Sequence, residues 1–216
     1  MPVTRILHGA GNIRDADLGS LARHPAVDAI EADVWVHGDR LIAHHERPIG
    51  VLGLLAGRGG FRRRSGAVSL RQILDATAGG PDVVIDLRSW FGDPAPDLAR
   101  AVDGEADRAR IRVTCEDWAL ADRVRAWLPG VRVGYSVRSE RQLRAYLAAR
   151  DAGRLPETAV AIRHTLLHTP DEVALVRERA GRVGAWTVDD VDRAMELAAW
   201  GVDEITSNHV TVLNAL

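Results

Sequence analysis

Short apolar runs that alternate with longer amphipathic segments are the feature that most limits how this chain can fold. The short runs have the length of β-strands, and the segments between them have apolar residues at helical spacing. Strands that alternate with helices form a parallel sheet, and eight such units close into a barrel. The predicted strands are residues 3–8, 26–34, 82–87, 110–115, 131–136, 158–163, 182–187 and 202–206. We therefore predict a compact α/β structure, a (β/α)8 TIM barrel.

Helix boundary signals support this order of elements. Ser69 is placed to cap one helix, Pro129 and Gly130 end another, and Gly201 ends the last. The predicted helices cover residues 69–77, 117–128, 138–152, 170–180 and 189–200. A further extended piece, residues 41–44, is expected to form a hairpin with the second strand. The length of 216 residues is near the lower limit of this fold, so we predict one domain, residues 1–216.

Composition narrows the expected function. The formal net charge of −2 gives no general attraction to nucleic acid or to membranes. All 28 basic residues are arginine, which excludes a lysine Schiff base. The single cysteine, Cys115, excludes an internal disulfide, and no apolar run resembles a signal peptide or a membrane span. We expect a cytoplasmic protein with no nucleic-acid partner and no stable membrane insertion, of unknown oligomeric state.

Two carboxylates on the second predicted strand, Glu31 and Asp33, stand in an otherwise apolar segment. Residues two apart on a strand point to the same face, so their charges repel unless a proton or a cation lies between them. Mg²⁺ and Ca²⁺ bind such oxygen ligands, and a histidine beside the cation is suited to acid–base catalysis. The alternative is an edge strand whose two acids are simply in water.

Polar residues also follow other predicted strands, at the end where TIM barrels have their active sites. Asp86 and Arg88 lie two apart at the end of the third strand. Other strand ends carry His8, His44, His45, His164 and Trp186. We expect these groups to meet at one rim of the barrel, and this convergence favours the metal site over the solvated strand.

Residues 46–68 form a long glycine-rich segment that contains an arginine cluster, Arg62, Arg63 and Arg64. A long loop inside a compact domain is more often functional than structural, and arginines near an active site bind phosphate bidentately. The alternative interpretation is a solvated surface turn.

Several segments, in order along the chain, resemble the glycerophosphodiester phosphodiesterase family. Residues 31–33 and 45–46 resemble the family's E-x-D and H-D motifs, and residues 68–74 are similar to its P-T-L-E-E-V-L segment. Residues 183–189 and 201–207 are similar to its W-T-V-N and G-V-D-x-I-x-T-D segments. The resemblance spans essentially the whole chain. It extends to the wider group of barrel phosphodiesterases that includes the sphingomyelinase-D-like phospholipases.

The resemblance implies a phosphoric diester hydrolase that acts on a small-molecule phosphodiester, either a glycerophosphodiester or a lysophospholipid head group. It implies one divalent cation, Mg²⁺ or Ca²⁺, held by Glu31, Asp33 and Asp86. His8 and His45 would be catalytic: one activates water or a neighbouring substrate hydroxyl, and the other protonates the leaving alkoxide. The implied substrate-binding residues are Arg88, Trp186, His164 and His44, and His44 is also the alternative to His45.

The chain departs from the family pattern at three motifs. The family opens with H-R-G and P-E-N-T, whereas residues 8–12 read His-Gly-Ala-Gly-Asn. Its third-strand motif, E-x-K, is replaced by residues 86–88, Asp-Leu-Arg, which resemble the sphingomyelinase-D-like branch. Two alternatives therefore stay open. One is a lyase that forms a cyclic phosphate, and the other is a catalytically silent barrel that binds a phosphorylated ligand.

Overall fold

The structure, a computed structural model, describes residues 2–12, 15–37, 40–45, 47–49, 54–57, 60–63, 68–89, 92–102 and 104–216. The strands of this part of the chain are β1 (Thr4–Leu7), β2 (Ala29–His37), β3 (Arg40–Ala43), β4 (Arg47–Ile49), β5 (Leu54–Gly57), β6 (Gly60–Arg63), β7 (Val68–Ser69), β8 (Asp82–Arg88), β9 (Ile111–Cys115), β10 (Arg132–Val137), β11 (Ala159–Arg163), β12 (Arg182–Trp186) and β13 (Glu204–Ser207). Its helices are α1 (Asp15–Ala22), α2 (Leu70–Ala76), α3 (Ala95–Ala101), α4 (Glu105–Arg110), α5 (Trp118–Trp127), α6 (Glu140–Asp151), α7 (Pro170–Arg177), α8 (Val191–Ala199) and α9 (Val210–Leu213).

Eight parallel strands close into a barrel in the order β1-β2-β8-β9-β10-β11-β12-β13, and β13 pairs again with β1. At the closing pair Thr4 lies beside Glu204, and Leu7 lies beside Ser207. Each predicted strand overlaps one of these barrel strands, and the predicted (β/α)8 fold is confirmed.

The five predicted helices correspond to α2 and α5–α8. Ser69 caps α2 as predicted, because its side chain accepts a hydrogen bond from the Gln72 N–H. Four further helices, α1, α3, α4 and α9, were not predicted; they run for 8, 7, 6 and 4 residues. Helices this short show little apolar periodicity. Helices α2 and α7 are as short, but each begins with a capping box, whereas α3, α4 and α9 have no side-chain cap. None of the described helices has the length and apolar character needed to cross a bilayer.

The segment after β2 has more regular structure than the sequence predicts. Strand β3 pairs antiparallel with β2, which confirms the predicted hairpin. The glycine-rich residues 46–68 contain a three-stranded antiparallel sheet, β4-β5-β6, and β7, which pairs with β3. Glycines suggest loops in a sequence but also permit tight turns between strands. The backbone of Arg62 and Arg63 lies in β6, whereas Arg64, Glu46 and Trp90 lie outside the described residues.

Most of the hydrophobic core lies between the barrel and its helices. Strand residues such as Ile30, Ile85 and Val113 are fully buried there. Each buried aliphatic side chain contributes about 1.5–3 kcal/mol to stability. A separate, much smaller cluster of Ile6, Ala29 and Val84 is formed by the alternate residues of β1, β2 and β8, which face the barrel interior.

Candidate active site at the carboxyl end of the barrel

Three acidic side chains lie close together at the carboxyl end of the barrel, which we call the mouth. Glu31 and Asp33 are alternate residues of β2 and are only 7% and 3% exposed. Asp86 lies beside Asp33, because β2 and β8 are adjacent and in register there. The structure thus brings together the three acids that the sequence predicts as metal ligands.

Arg88 supplies positive charge to this group. Its Nη2 lies 2.7 Å from Asp33 Oδ1 and 2.7 Å from Asp86 Oδ2. Its Nη1 lies 3.8 Å from Glu116, a carboxylate that also pairs with Arg138 at 2.6 Å. One arginine therefore bridges two buried acids, with a third, Glu31, close by.

Burial and mutual repulsion disfavour the charged forms of these acids. Burial, then the charges of Asp33 and Asp86, hold the pKa of Glu31 well above its usual range. Burial also raises the pKa of Asp86 to about 7, although the charge of Arg88 acts in the opposite direction. For Arg88, burial lowers the pKa, but the neighbouring carboxylates outweigh it and the net pKa is raised. Among the described residues, the positive charge of Arg88 is therefore too little to keep all three acids of the mouth in their charged forms.

The donor set fits a hard divalent cation. One ligand atom each from His8, Glu31 and Asp33 lies within 4.8 Å of the others. Asp33 Oδ2 and Asp86 Oδ1 are buried and have no hydrogen-bond partner among the described residues. Carboxylate oxygens are the ligands that Mg²⁺ and Ca²⁺ prefer. This group of three contains His8 and not Asp86. The Oδ2 atom of Asp86 accepts a hydrogen bond from Arg88.

A chain of hydrogen bonds orients His8. Asn208 Nδ2 donates to Asp189 Oδ2 at 2.7 Å, which turns the Asn208 Oδ1 toward the His8 ring. His8 Nδ1 lies 2.8 Å from that oxygen and must donate to it, since an amide oxygen only accepts. In the neutral ring Nε2 then carries the lone pair, 3.4 Å from Glu31 Oε2. Two acceptors facing each other call for a proton or a cation between them.

The other predicted residues divide into two groups. His45 and Trp186 line the same cavity as His8, and the rings of His45 and His8 have centroids 6.2 Å apart. The described residues that line this cavity do not include His44 or His164. His164 lies in the turn after β11, where burial lowers its pKa.

Several functional contacts were not predicted from the sequence. The Gly9 N–H donates to Glu31 Oε2 at 3.0 Å, and Asn208, Asp189 and Glu116 make the contacts given above. Asn208 directly follows the last barrel strand, so its place at the rim could have been predicted from the sequence. Its hydrogen bond to His8 could not, because these two residues are 200 positions apart in the chain.

Comparison with known proteins supports the fold. No protein-family model matches the sequence, and no curated protein matches it. A glycerophosphodiester phosphodiesterase structure from Parabacteroides distasonis is 19% identical, has a TM-score of 0.72, and is matched over 98% of this chain and 95% of that one. One from Agrobacterium tumefaciens is 16% identical, with a TM-score of 0.71 and 100% of both chains covered.

A third solved structure contains a ligand. It is an Oleispira antarctica phosphodiesterase in complex with its product sn-glycerol-3-phosphate, 15% identical, with a TM-score of 0.71 and coverage of 98% of this chain and 96% of that one. These likenesses show that the chain has the barrel fold of the solved glycerophosphodiester phosphodiesterases. The resemblance found in the sequence is thereby confirmed at the level of the fold.

Proposed function

We propose that this protein is a phosphodiester hydrolase of the glycerophosphodiester phosphodiesterase type, with its active site at the mouth of the barrel. The proposal is carried by one observation: Glu31 and Asp33 are buried beside His8, next to the largely buried Asp86, and two oxygens of these acids have no partner among the described residues. The fold shared with a phosphodiesterase that holds sn-glycerol-3-phosphate supports the same type of reaction.

Glu31, Asp33 and Asp86 would hold one divalent cation, Mg²⁺ or Ca²⁺, since both ions bind carboxylate oxygens. When bound, such a cation polarises the phosphoryl group and offsets its negative charge. Arg88, no longer required to neutralise Asp33 and Asp86, would bind a non-bridging phosphate oxygen through its guanidinium group.

The two histidines would move the protons. His8 accepts the proton of the attacking water at Nε2, and the nearby Glu31 carboxylate stabilises the imidazolium that forms. The water oxygen bonds to phosphorus while the bond from phosphorus to the leaving alcohol oxygen breaks. His45, which is exposed to solvent, donates a proton to that oxygen.

The cavity is suited to a small substrate. Its volume is about 320 Å³, the lower end of the size of small-molecule sites. The Trp186 ring would form an apolar wall for the alcohol part of a glycerophosphodiester or a lysophospholipid head group. His44 and His164 do not line the cavity, so the proposal gives them no contact with substrate.

The proposal is tested by release of glycerol 3-phosphate from glycerophosphocholine. We expect turnover with Mg²⁺ or Ca²⁺, loss of turnover with a chelator, and recovery when the cation is restored. A protein that binds the cation and cleaves no phosphodiester would instead be the catalytically silent barrel.

A lyase reaction is the second candidate, favoured by the Asp86-Leu87-Arg88 sequence in the third barrel strand. In that reaction a hydroxyl of the substrate replaces water as the nucleophile and gives a cyclic phosphate. Phosphorus NMR of the products from lysophosphatidylcholine separates the two, because hydrolysis yields a phosphomonoester directly.

A further inference from the structure

The barrel interior beneath the mouth is hollow. TIM barrels normally fill this space with layers of bulky branched side chains. Here inward positions of β10, β11 and β12 carry Gly134, Ala161 and Gly184, which face Ile6 and Val84 across the barrel. The cavity of about 320 Å³ therefore continues from the mouth down to the amino end of the strands.

Two arginines and one glutamate close the lower end of this cavity, which we call the floor. Arg112 Nη1 is bonded to Glu204 Oε1, and Arg182 Nε is bonded to the same oxygen at 2.8 Å. Two guanidinium groups against one carboxylate leave one positive charge. Arg132 also lines the cavity, but its charge is paired with Asp82 at 2.8 Å.

One edge of the Arg112 guanidinium has no hydrogen-bond acceptor among the described residues. Its Nε and Nη2 atoms are buried without a hydrogen-bond partner in the described part of the chain, and the residue is only 8% exposed. Buried N–H groups without acceptors are costly. The Nε and Nη2 hydrogens of an arginine form the parallel fork that binds a carboxylate bidentately.

The floor lies at a defined depth below the metal ligands. Arg112 is in register with Val84, and Asp86 is two residues further along β8. A strand rises about 3.3 Å per residue, so the Cα atom of Arg112 lies roughly 7 Å before that of Asp86, measured along the strand direction. A phosphate ester whose alcohol carries a carboxylate a few bonds from phosphorus spans such a distance.

We propose that the floor is a carboxylate-binding site and that the substrate is a phosphodiester whose alcohol part, lying inside the barrel, carries a carboxylate bound by Arg112. This substrate class rests on the proposed function. One net positive charge suits a singly charged carboxylate better than a doubly charged phosphate. The glycine and alanine walls leave room for the few carbon atoms that connect the carboxylate to the phosphate at the mouth.

The first test is a binding measurement that does not depend on turnover. Calorimetry on the Mg²⁺-supplemented protein compares 3-phosphoglycerate with glycerol 3-phosphate, which has a hydroxymethyl group in place of the carboxylate. We expect 3-phosphoglycerate to bind roughly tenfold more tightly or better, as a charge-assisted bidentate pair allows. In Arg112→Gln the ratio should fall to about one, with the affinity for glycerol 3-phosphate little changed.

Three comparisons make this test decisive. Arg112→Gln leaves Glu204 its bond to Arg182, so the floor keeps an ion pair. Arg132→Gln, which removes a cavity-lining charge already paired with Asp82, should leave the preference for 3-phosphoglycerate unchanged. Ala161→Leu keeps every charge but fills the interior, and should weaken 3-phosphoglycerate binding selectively.

Equal affinity for the two phosphates, failure of 3-phosphoglycerate to bind, or a preference that survives in Arg112→Gln would overturn the carboxylate site. Turnover separates this result from the proposed function. Glycerophosphoserine and glycerophosphoethanolamine differ only by a carboxylate, and we expect a higher kcat/KM for the former. If both are cleaved equally, the carboxylate site is wrong and the hydrolase proposal stands. If neither is cleaved while 3-phosphoglycerate is preferred, the hydrolase proposal is wrong and the carboxylate site stands.

Discussion

Among the described residues, three buried or largely buried carboxylates face one arginine at the mouth of the barrel, whereas two arginines face one carboxylate at the floor. The buried atoms without partners among the described residues also differ. At the mouth they are oxygens of Asp33 and Asp86 together with N–H groups of Arg88 and Trp186, and at the floor they are N–H groups of Arg112 alone. The mouth therefore lacks a cation and the floor lacks an anion, although both belong to one continuous cavity.

This difference shows how one barrel interior selects an orientation for its ligand. Both ends are formed by inward positions of the barrel strands, the mouth by β2 and β8 and the floor by β9, β12 and β13. Val84, which pairs with Arg112, is two residues before Asp86 on β8. A ligand with a cation-binding phosphate at one end and a carboxylate at the other complements both ends at once. In the reversed orientation the doubly charged phosphate would meet one net positive charge at the floor, and the singly charged carboxylate would take the place beside the cation.

The largest expected effect tests the chemistry assigned to the mouth. His8→Ala should lower kcat by about 10²–10⁴, the usual contribution of a general acid or base. His168→Ala is the matched control, because that histidine is exposed and lies away from the cavity. Steady-state kinetics at saturating cation measures both. The preference for 3-phosphoglycerate should persist in His8→Ala, since it arises at the floor. Retained turnover in His8→Ala would refute the mechanism.

The next largest effect is on the stability of the protein and tests the ion pairs of the floor. Glu204→Gln removes the carboxylate that pairs with Arg112 and Arg182 and leaves uncompensated positive charge beneath the cavity. Breaking a buried ion pair costs about 3–5 kcal/mol, and the partial exposure of Arg182 places the expected value near 3 kcal/mol. For a chain of this length the melting temperature should fall by roughly 6–12 °C. An unchanged melting temperature would show that the floor charges are solvated.

A smaller effect tests the orientation of His8. Asn208→Leu removes the acceptor for His8 Nδ1, so the ring loses its fixed tautomer. Residues that orient a functional histidine contribute about 10–100-fold to activity. We expect kcat to fall in this range with little change in KM, and the pH–rate profile to shift, because a different nitrogen then carries the proton. A rise in KM with an unaltered pH profile would assign Asn208 to substrate binding instead.

A Glu→Gln substitution at the mouth should change the melting temperature in the opposite direction to Glu204→Gln. In chelator-treated protein, Glu31→Gln removes a buried negative charge that burial and Asp33 already disfavour. The melting temperature should therefore rise by roughly 2–4 °C for each kcal/mol gained. Adding Mg²⁺ should stabilise the wild type more than the variant, because the variant has lost a ligand. A melting temperature that falls in chelator would contradict the excess of negative charge at the mouth.

The mouth could be predicted from the sequence and the floor could not, for a physical reason. Glu31 and Asp33 are two apart on one strand, so strand geometry alone puts them on one face. The rule that parallel barrels place their sites at the carboxyl end then adds Asp86. Arg112 and Glu204 are 92 residues apart and meet only because the barrel closes. Each looks, in its own strand, like an ordinary polar position.

The hollow interior was equally hidden in the sequence. Gly134 and Gly184 lie in predicted strands, where a glycine indicates a weak strand or a close backbone contact. That is true of Gly134, where a Cβ atom would lie 2.7 Å from the Ala159 carbonyl oxygen. Gly184 has no such clash, and its missing side chain contributes to the cavity instead. Only the neighbours on the adjacent strands distinguish these two roles.

The smallest effect concerns Asp28, an acid just before β2 whose charge is paired with that of Arg5. Hydrogen bonds from Arg5 lower the pKa of Asp28, and Arg5 Nη2 lies 2.9 Å from Asp28 Oδ1. This pKa moves in the direction opposite to those of Glu31 and Asp86 at the mouth. A carboxyl whose folded pKa is lowered stabilises the protein above its unfolded pKa, about 3.8, and this contribution is lost as the pH falls through the folded value.

Asp28→Asn should therefore be less stable than the wild type at pH 7, by less than about 1 kcal/mol because the pair is partly exposed. The difference should shrink steadily as the pH falls below about 4 and vanish in stronger acid. Urea denaturation of the two proteins across this pH range measures it. A difference that is independent of pH would mean that Asp28 acts through its neutral hydrogen bonds alone. The charge of Asp28 would then be no better satisfied than the charges of the acids at the mouth.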